Sequence, residues 1–552
     1  MSSAVRADDA RRRSICLGLS GLIAFLWLAM LPLRPLFNPD EGRYAEIPRE
    51  MLATRDWVVP HLNGLEYIEK PPLQYWATAL SLELFGDNEF AARLYTALSA
   101  FGAMLAVALA ARRLWGEAAG LRAVAILAGT QLFVILGQLL TLDMSLTLYT
   151  TVALCAFLAV QRGAEEGAPS RGLMLIAWAA VGLGMLTKGL VAVALPAAVL
   201  VLYSAYSRDF QPWRRLHVAA GLPLFLAITL PWHALAARRL PDFLQFYFVH
   251  EHLARYLTPS ADRQEVWWFF VAVFLLGSLP WTLSALRALL LDWPRPGARR
   301  GFDAGLFLKI WVWFVCVFFS LSDSKLIPYI LPAMPALALL IASLPEAPLR
   351  RDLSRTALAT VAFALGLALL CLIAPAHVSP TERNAYFLAL RGPLAEIAAL
   401  LAVSGLYVLS RRRADATGLA LFLGAGWCLA GLLAMRAATA VAPIYSGVML
   451  ARALPDLPRE AALYSVASYD QTLPFYWRRT VNLVSYRGEL DYGLQRNPGA
   501  EIPTVDEFVQ RWTGESNAFA VMEKPMFEEL MRRQVPMREV ARDVGRVLVA
   551  RQ

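Results

Sequence analysis

Lysine is scarce in this sequence: Lys70, Lys188, Lys309, Lys325 and Lys524 are the five lysines among 52 basic residues. Where arginine does the routine work, a lysine stands out. Lys70 sits in EKPP, where two prolines fix the backbone beside it. A compact ammonium held in that way suits a phosphate oxygen. Arg255, in HEHLARY, offers the planar fork that grips phosphate bidentately. Lys188 and Lys325 fall at the ends of apolar segments, where snorkelling to lipid headgroups competes with a functional reading. The acidic counterpart is Asp40-Glu41, which follows Pro39 and precedes a helix-like run, GRYAEIPREML. One of the two is expected to cap that helix, with Asp at the cap and Glu in the first turn, and a capping carboxylate is also held rigidly enough for chemistry. Asp143 in TLDMSL carries the same two readings. Glu69 and the run His250-Glu251-His252 are ligand types for a divalent metal such as zinc. In a helix, histidines two apart face different sides, so one at most serves a given site, and a structural role for the run is favoured over a metal.

These residues need elements to hold them. Asp40, Arg43, Tyr67, Glu69 and Lys70 all lie between Asn38 and Trp76, a dense polar stretch with Trp, Tyr and Pro threaded among its charges. That mixture reads as folded and not as a solvated low-complexity loop. Nearly everything for hundreds of residues beyond it is apolar. The chain has 552 residues, 58% hydrophobic and 17% charged, where a soluble domain sits nearer one quarter charged. Runs of about 20 apolar residues, each long enough for a ~30 Å hydrocarbon core, identify a polytopic helical membrane protein. The net charge of +9 does not point to nucleic acid, because the arginines cluster in short loops between apolar runs. The five cysteines all lie in those runs, so no disulfide framework is implied. Arg6, Arg11, Arg12 and Arg13 precede the first run without a small-x-small cleavage site, which reads as an uncleaved first helix.

Hydropathy places spans near 15–36, 90–111, 118–137, 143–161, 172–187, 189–206, 216–237, 266–288, 304–321, 326–345, 354–374, 392–410 and 416–435. Segment 71–85 would be a fourteenth, but it is short, opens with two prolines and contains Glu83. Thirteen spans put every arginine cluster on one side of the membrane, whereas fourteen would oppose the first cluster to all the others. The positive-inside rule therefore selects thirteen, with the N-terminus cytoplasmic, the C-terminus outside and 71–85 a helix in the interface or packed on the bundle. The expected fold is an all-α polytopic membrane domain over 1–435, with an outer loop at 37–88. A small C-terminal α/β domain follows over 436–552, where strand-like and helix-like patterns alternate.

The run NPDEGRYAEIPREMLATRDWVVPHLNGLEYIEKPPLQYW resembles the first periplasmic loop of the bacterial 4-amino-4-deoxy-L-arabinose lipid A transferases. These are members of the polyprenyl-phosphate-dependent, protein O-mannosyltransferase-like membrane glycosyltransferases of GT-C fold. The likeness extends over the whole chain, and DEGRYAEIPREM together with LNGLEYIEKPPLQYW is its most specific part. It departs at ATRDW, where Arg55 stands in place of an expected Gly. The resemblance implies an undecaprenyl-phosphate-linked aminosugar donor, a lipid A phosphate acceptor, and a monomer in the bacterial inner membrane whose site and C-terminus are periplasmic. It implies catalytic roles for Asp40, Glu41 and Asp143. Lys70, Arg255, Lys188 and Tyr329 fall to the donor phosphate, and Arg43 and Tyr67 to the cavity. No cofactor is required, with zinc at Glu69 and His250 as the one candidate. The implied physiology is resistance to cationic antimicrobial peptides such as polymyxin.

Chemically, losing a polyprenyl phosphate builds positive charge on the sugar and negative charge on the phosphate. An acceptor phosphate, with a second pKa near ~6, is already largely anionic and needs little help from a base. Asp40 is therefore expected to orient the acceptor or the sugar amine, with inversion at C1. A related transferase moving another sugar, such as mannose, onto protein or glycolipid is the alternative enzyme. A flippase or transporter would call for repeats with broken helices near mid-membrane, and the crowding of polar residues at one surface argues against it.

Overall fold

A computed structural model describes residues 18, 21–167, 170–254, 265–295, 301–377, 379, 381–455, 457–458 and 460–551. Where it is described, each of the thirteen expected spans coincides with a helix or a pair of helices. Their lengths are uneven. Among the described residues, seven are continuous helices long and apolar enough to cross a bilayer, including Glu89–Trp115, Leu142–Glu165 and Arg171–Lys188. Gly21–Leu33, Val191–Ser207, Ala304–Ser320 and Ile327–Ala342 are shorter. The expected span 266–288 is not one rod. Phe269–Gly277 and Thr282–Leu290 meet at 119°. Pro280 in the break has no N–H to continue a helix, while the Thr282 hydroxyl donates to the Leu275 carbonyl across the corner at 2.8 Å. Segment 118–137 likewise splits at Thr130 into Glu117–Gly129 and Gln131–Leu136. The helix Leu73–Phe85 has 13 residues, about 20 Å at 1.5 Å per residue and too short for a crossing. It buries Gln74, Tyr75, Thr78 and Leu82 and exposes Leu80, Leu84 and Phe85.

The 37–88 stretch is folded, as its composition suggests. The helix Asp40–Thr54 ends at Arg55, which takes a left-handed φ of 60°. Glycine is the usual residue at such a position, so the departure from the expected Gly leaves a strained turn and not a different one. A two-residue hairpin follows: β1 (His61–Leu62) pairs antiparallel with β2 (Leu65–Glu66). Asn63 and Gly64 supply the two positive φ values, 56° and 75°, that this tight turn requires. Glu50 ties hairpin to helix by accepting the Asn63 and Gly64 N–H groups at 2.6 and 2.9 Å.

The C-terminal region is an α/β domain. Its strands β3 (Ala462–Val466), β4 (Asn482–Val484), β5 (Glu501–Ile502), β6 (Ala518–Glu523), β7 (Met537–Arg542) and β8 (Arg546–Arg551) form one sheet in the order β5-β4-β3-β6-β8-β7. The first four strands in that order are parallel and the last two pairings are antiparallel. Parallel neighbours need crossovers, and Leu473–Trp477 and Val505–Gly514 lie in two of them. One face of the sheet packs on Phe508 and Trp512. The other contributes Leu463, Leu483, Val521 and Leu548 to a core shared with Tyr44, Ile47 and Tyr75 of the first loop. The domain is thus joined to the loop by a common apolar core. Among the described residues Cys155, Cys316, Cys371 and Cys428 are free thiols.

Candidate active site

Pro39 occupies the N-cap of the first-loop helix, so Asp40 is the first helical residue and not the cap. Successive helical residues point about 100° apart, and the acidic pair is divided accordingly. Glu41 turns inward and is 3% exposed. It accepts Arg34 Nη1 and Nη2 at 2.6 and 2.9 Å and Arg93 Nε and Nη2 at 2.8 and 3.0 Å. Burial alone would raise its pKa, but the two guanidiniums outweigh that and hold it below the usual carboxylate range. With its lone pairs taken, Glu41 is a structural residue, and the catalytic role expected of it is withdrawn.

Asp40 faces a cavity of about 450 Å³. Its walls come from distant parts of the chain: Asp40, Arg43 and Tyr44 from the first-loop helix, Glu69 and Lys70 from EKPP, and Asp143 from the start of Leu142–Glu165. Lys188, Glu251, Phe319 and Tyr329 also line it. Lys70 Nζ donates to Glu251 Oε2 and to the Glu69 carbonyl, both at 2.9 Å. Lys188 is paired with Asp143 and lies 4.8 Å from the Tyr329 ring centroid. Like Asp40, Asp143 is in the first turn of its helix and not at the cap, which is Thr141. Arg43 lies 3.9 Å from Asp40 and 3.6 Å from Glu489 of the C-terminal domain. Burial pushes the Tyr44 phenol up, and the charge of Asp40 adds to the shift. The phenol is therefore a neutral donor at any ordinary pH.

A larger cavity, about 890 Å³, is lined by Arg162, Glu165, Arg287, Asp303 and Lys309. It lies at the opposite end of Leu142–Glu165. Among the described residues, none of the expected site residues lines it. Its charges are engaged locally, as where Arg162 donates to Glu165 at 3.1 Å and Lys309 donates to the Asp292 carbonyl at 3.2 Å.

Comparison with known proteins decides the family. Residues 449–551 match the model of the aminoarabinose transferase C-terminal domain, and residues 69–234 that of dolichyl-phosphate-mannose-protein mannosyltransferase. An undecaprenyl phosphate-alpha-4-amino-4-deoxy-L-arabinose arabinosyl transferase of Aeromonas hydrophila is 32% identical over 501 residues, covering 85% of this chain and 86% of the relative. A second such transferase, from Sodalis glossinidius, is 33% identical and covers 90% of each chain. The crystal structure of ArnT from Cupriavidus metallidurans bound to undecaprenyl phosphate superposes with a TM-score of 0.88 at 33% identity, covering 97% of both chains. The chain belongs to the aminoarabinose transferase family. It is a multi-pass inner-membrane glycosyltransferase of the GT-C fold, with a small C-terminal α/β domain.

Within this aminoarabinose transferase fold, Asp40, Arg43, Glu69, Lys70, Asp143, Lys188 and Tyr329 do share one hollow. Tyr67 does not line it. It is buried behind Arg43, whose guanidinium it receives at 3.4 Å. His250 does not line it either: its side chain is 59% exposed and its ring stacks on Phe246 at 5.1 Å. Among the described residues no three His, Cys, Asp or Glu side chains converge as a metal site. Glu69 lines the cavity and the His250 ring does not, so these two side chains do not converge on a shared ion. Arg255 and the side chain of His252 lie outside the described residues. The sequence reading names Glu251 only within a metal-type run and misses its pairing with Lys70. The flanking histidines suggest a metal run, whereas the acid after His250 lines the cavity and His250 does not.

Proposed function

We propose that this chain transfers 4-amino-4-deoxy-L-arabinose from undecaprenyl phosphate to a lipid A phosphate at the periplasmic face, masking negative charge and so giving resistance to cationic antimicrobial peptides. The observation that carries this reading is the single cavity in which Lys70 and Lys188, 118 positions apart in the sequence, are each held by an exchangeable carboxylate beside Asp40. A volume of about 450 Å³ lies within the usual range for small-molecule sites.

The donor phosphate replaces Glu251 and Asp143 as counter-ion to the two lysines. As the C1–O bond breaks, its electron pair leaves with the polyprenyl phosphate, and the lysines meet that growing charge. Fixed charges of this kind contribute several kcal/mol in a water-poor site. The acceptor phosphate oxygen attacks C1 from the opposite face and inverts it. Already anionic, it gives up no proton in the step. Asp40 orients the acceptor or the sugar amine. No step passes through a metal.

Transfer from radiolabelled donor to lipid A by purified protein tests the proposal. Wild type should label lipid A. Lys70→Ala and Asp40→Ala should each lose about 10²-fold or more in kcat/KM while melting like wild type. Absence of labelled lipid A with wild type, or full activity in Lys70→Ala, would end the reading. Labelling of protein in place of lipid A would favour the mannosyltransferase-like alternative.

A further inference from the structure

The helix that presents Asp40 has no side-chain cap of its own, so, besides the arginine cage around Glu41, something else must fix its first turn. The preceding residue but one, Asn38, does so by binding the C-terminal domain. Its Oδ1 accepts the Gln471 N–H at 2.9 Å, and its Nδ2 donates to Asp470 Oδ2 at 2.6 Å. Its own N–H donates to the Tyr445 carbonyl at 2.8 Å. Asp470 is itself fully engaged. Oδ1 accepts the Thr472 N–H at 2.8 Å and the Thr472 hydroxyl at 2.6 Å, and Oδ2 also receives Arg546 Nη1. Arg546 then reaches the Ser446 carbonyl at 2.8 Å. Gly42 shows how closely the two backbones approach: a Cβ there would stand 2.5 Å from the Gln471 carbonyl carbon and 2.7 Å from the Thr472 nitrogen. Asp470, Gln471 and Thr472 are all buried, and none of them lines the cavity.

We infer that the Asp470–Thr472 turn of the C-terminal domain is the positioning device for Asp40, acting through Asn38 and the backbone at Gly42. This rests on the transferase reading above. Asp470 touches no substrate and supplies no charge to the cavity. It sets where the first turn of the Asp40–Thr54 helix begins, and hence where the Asp40 carboxylate stands. Misplacing a reacting group by about 1 Å is enough to cost on the order of 10²-fold in rate.

The test uses the full-length protein in detergent, with three readouts: kcat and KM for the donor, equilibrium binding of undecaprenyl phosphate, and amide hydrogen exchange at 40–46. Asn38→Ala should lower kcat by roughly 10–10²-fold. Undecaprenyl phosphate binding, which depends on the lysines, should change less than twofold, and exchange at 40–46 should quicken. Asn38→Asp sets two carboxylates against each other and should lose at least as much. Loss of kcat and of undecaprenyl phosphate affinity in parallel, or an unchanged kcat in Asn38→Ala, would reduce the contact to ordinary stability and overturn the inference. If wild type makes no labelled lipid A, the transferase reading fails by itself. The exchange data then still decide the clamp, since unchanged protection at 40–46 in Asn38→Ala refutes it.

Discussion

Asp40 and Glu41 are chemically alike and adjacent, yet they occupy opposite situations. Glu41 accepts six hydrogen bonds, four from Arg34 and Arg93 and one each from the Phe37 and Leu140 N–H groups. Arg93 also donates to the carbonyls of Leu31, Arg34 and Pro35. This cage fastens the end of the first helix, the first loop and the turn before Leu142–Glu165 to one carboxylate. The Asp40 side chain is 39% exposed and lies 3.9 Å from Arg43. A carboxylate whose oxygens are saturated by buried donors holds a structure together. One that keeps its oxygens toward a cavity can hold a substrate. The same division separates Glu41 from Asp143 and Glu251, which pair with Lys188 and Lys70 at the rim of the hollow.

The comparison is broken most directly at Glu41. Glu41→Gln keeps the shape but leaves two buried guanidiniums without a counter-charge. Removing one partner of such a buried cluster costs about 3–5 kcal/mol, a large part of the ~5–15 kcal/mol that folds a typical domain. We expect Glu41→Gln to abolish or sharply reduce recoverable folded protein, with a large fall in melting temperature for any that survives. Asp40→Asn should melt like wild type and fail only in transfer. A Glu41→Gln protein that melts normally would mean the cage is dispensable and the contrast false.

How much of this was legible beforehand depends on the kind of signal. Lysine scarcity and the rigid EKPP context single out Lys70, which lines the cavity; Lys188, which lines it too, competes with snorkelling on its residues alone and is assigned to the donor phosphate by the family resemblance. The Asp-Glu pair was found but not divided. The division depends on Arg93, 52 positions along the chain, and no local spacing links those residues. Hydropathy located the spans but not their breaks, because a window average does not register a turn in the backbone. Pro280 was the available cue for the corner between Gly277 and Thr282. In the C-terminal domain the alternating pattern announced α/β. The order β5-β4-β3-β6-β8-β7 was out of reach, since parallel pairing is decided by tertiary packing and not by any turn in the sequence. Arg55 was noticed as a departure, and its left-handed φ of 60° gives that departure a structural meaning.

A smaller effect sharpens the contrast inside the cavity. If Asp143 is an exchangeable counter-ion, its loss should act through Lys188. Lys188→Met should weaken kcat/KM for the donor by about tenfold, near 1.4 kcal/mol. Asp143→Asn should have a milder effect and little influence on melting. The double variant should be no worse than Lys188→Met alone, because the carboxylate has nothing left to hold. Additive losses across this cycle would show instead that Asp143 contacts substrate independently of Lys188.

The smallest effect concerns a second buried acid. Asp543 sits in the C-terminal domain with Arg546 Nη2 at 2.7 Å and accepts the Gly545 and Arg546 N–H groups at 3.0 and 2.8 Å. It has one cation where Glu41 has two, and it shares that cation with Asp470. Here burial wins, and the Asp543 pKa is pushed up to about 6. The consequence for stability has the opposite sign to that at Glu41. Between the unfolded value near ~4 and the folded value, the native state binds more protons than the unfolded chain. Stability from this group is therefore greatest at low pH and is lost as pH rises through that window. Melting curves of wild type and Asp543→Asn across pH 4–8 should converge or cross toward pH 6 and run parallel above it, the wild type losing ground as pH rises. Glu41, with its pKa lowered, should instead protect the fold until the pH falls well below that window. If the wild type gained on Asp543→Asn with rising pH, a single guanidinium would be enough to overcome burial, and the second arginine at Glu41 would no longer explain why that carboxylate stays charged.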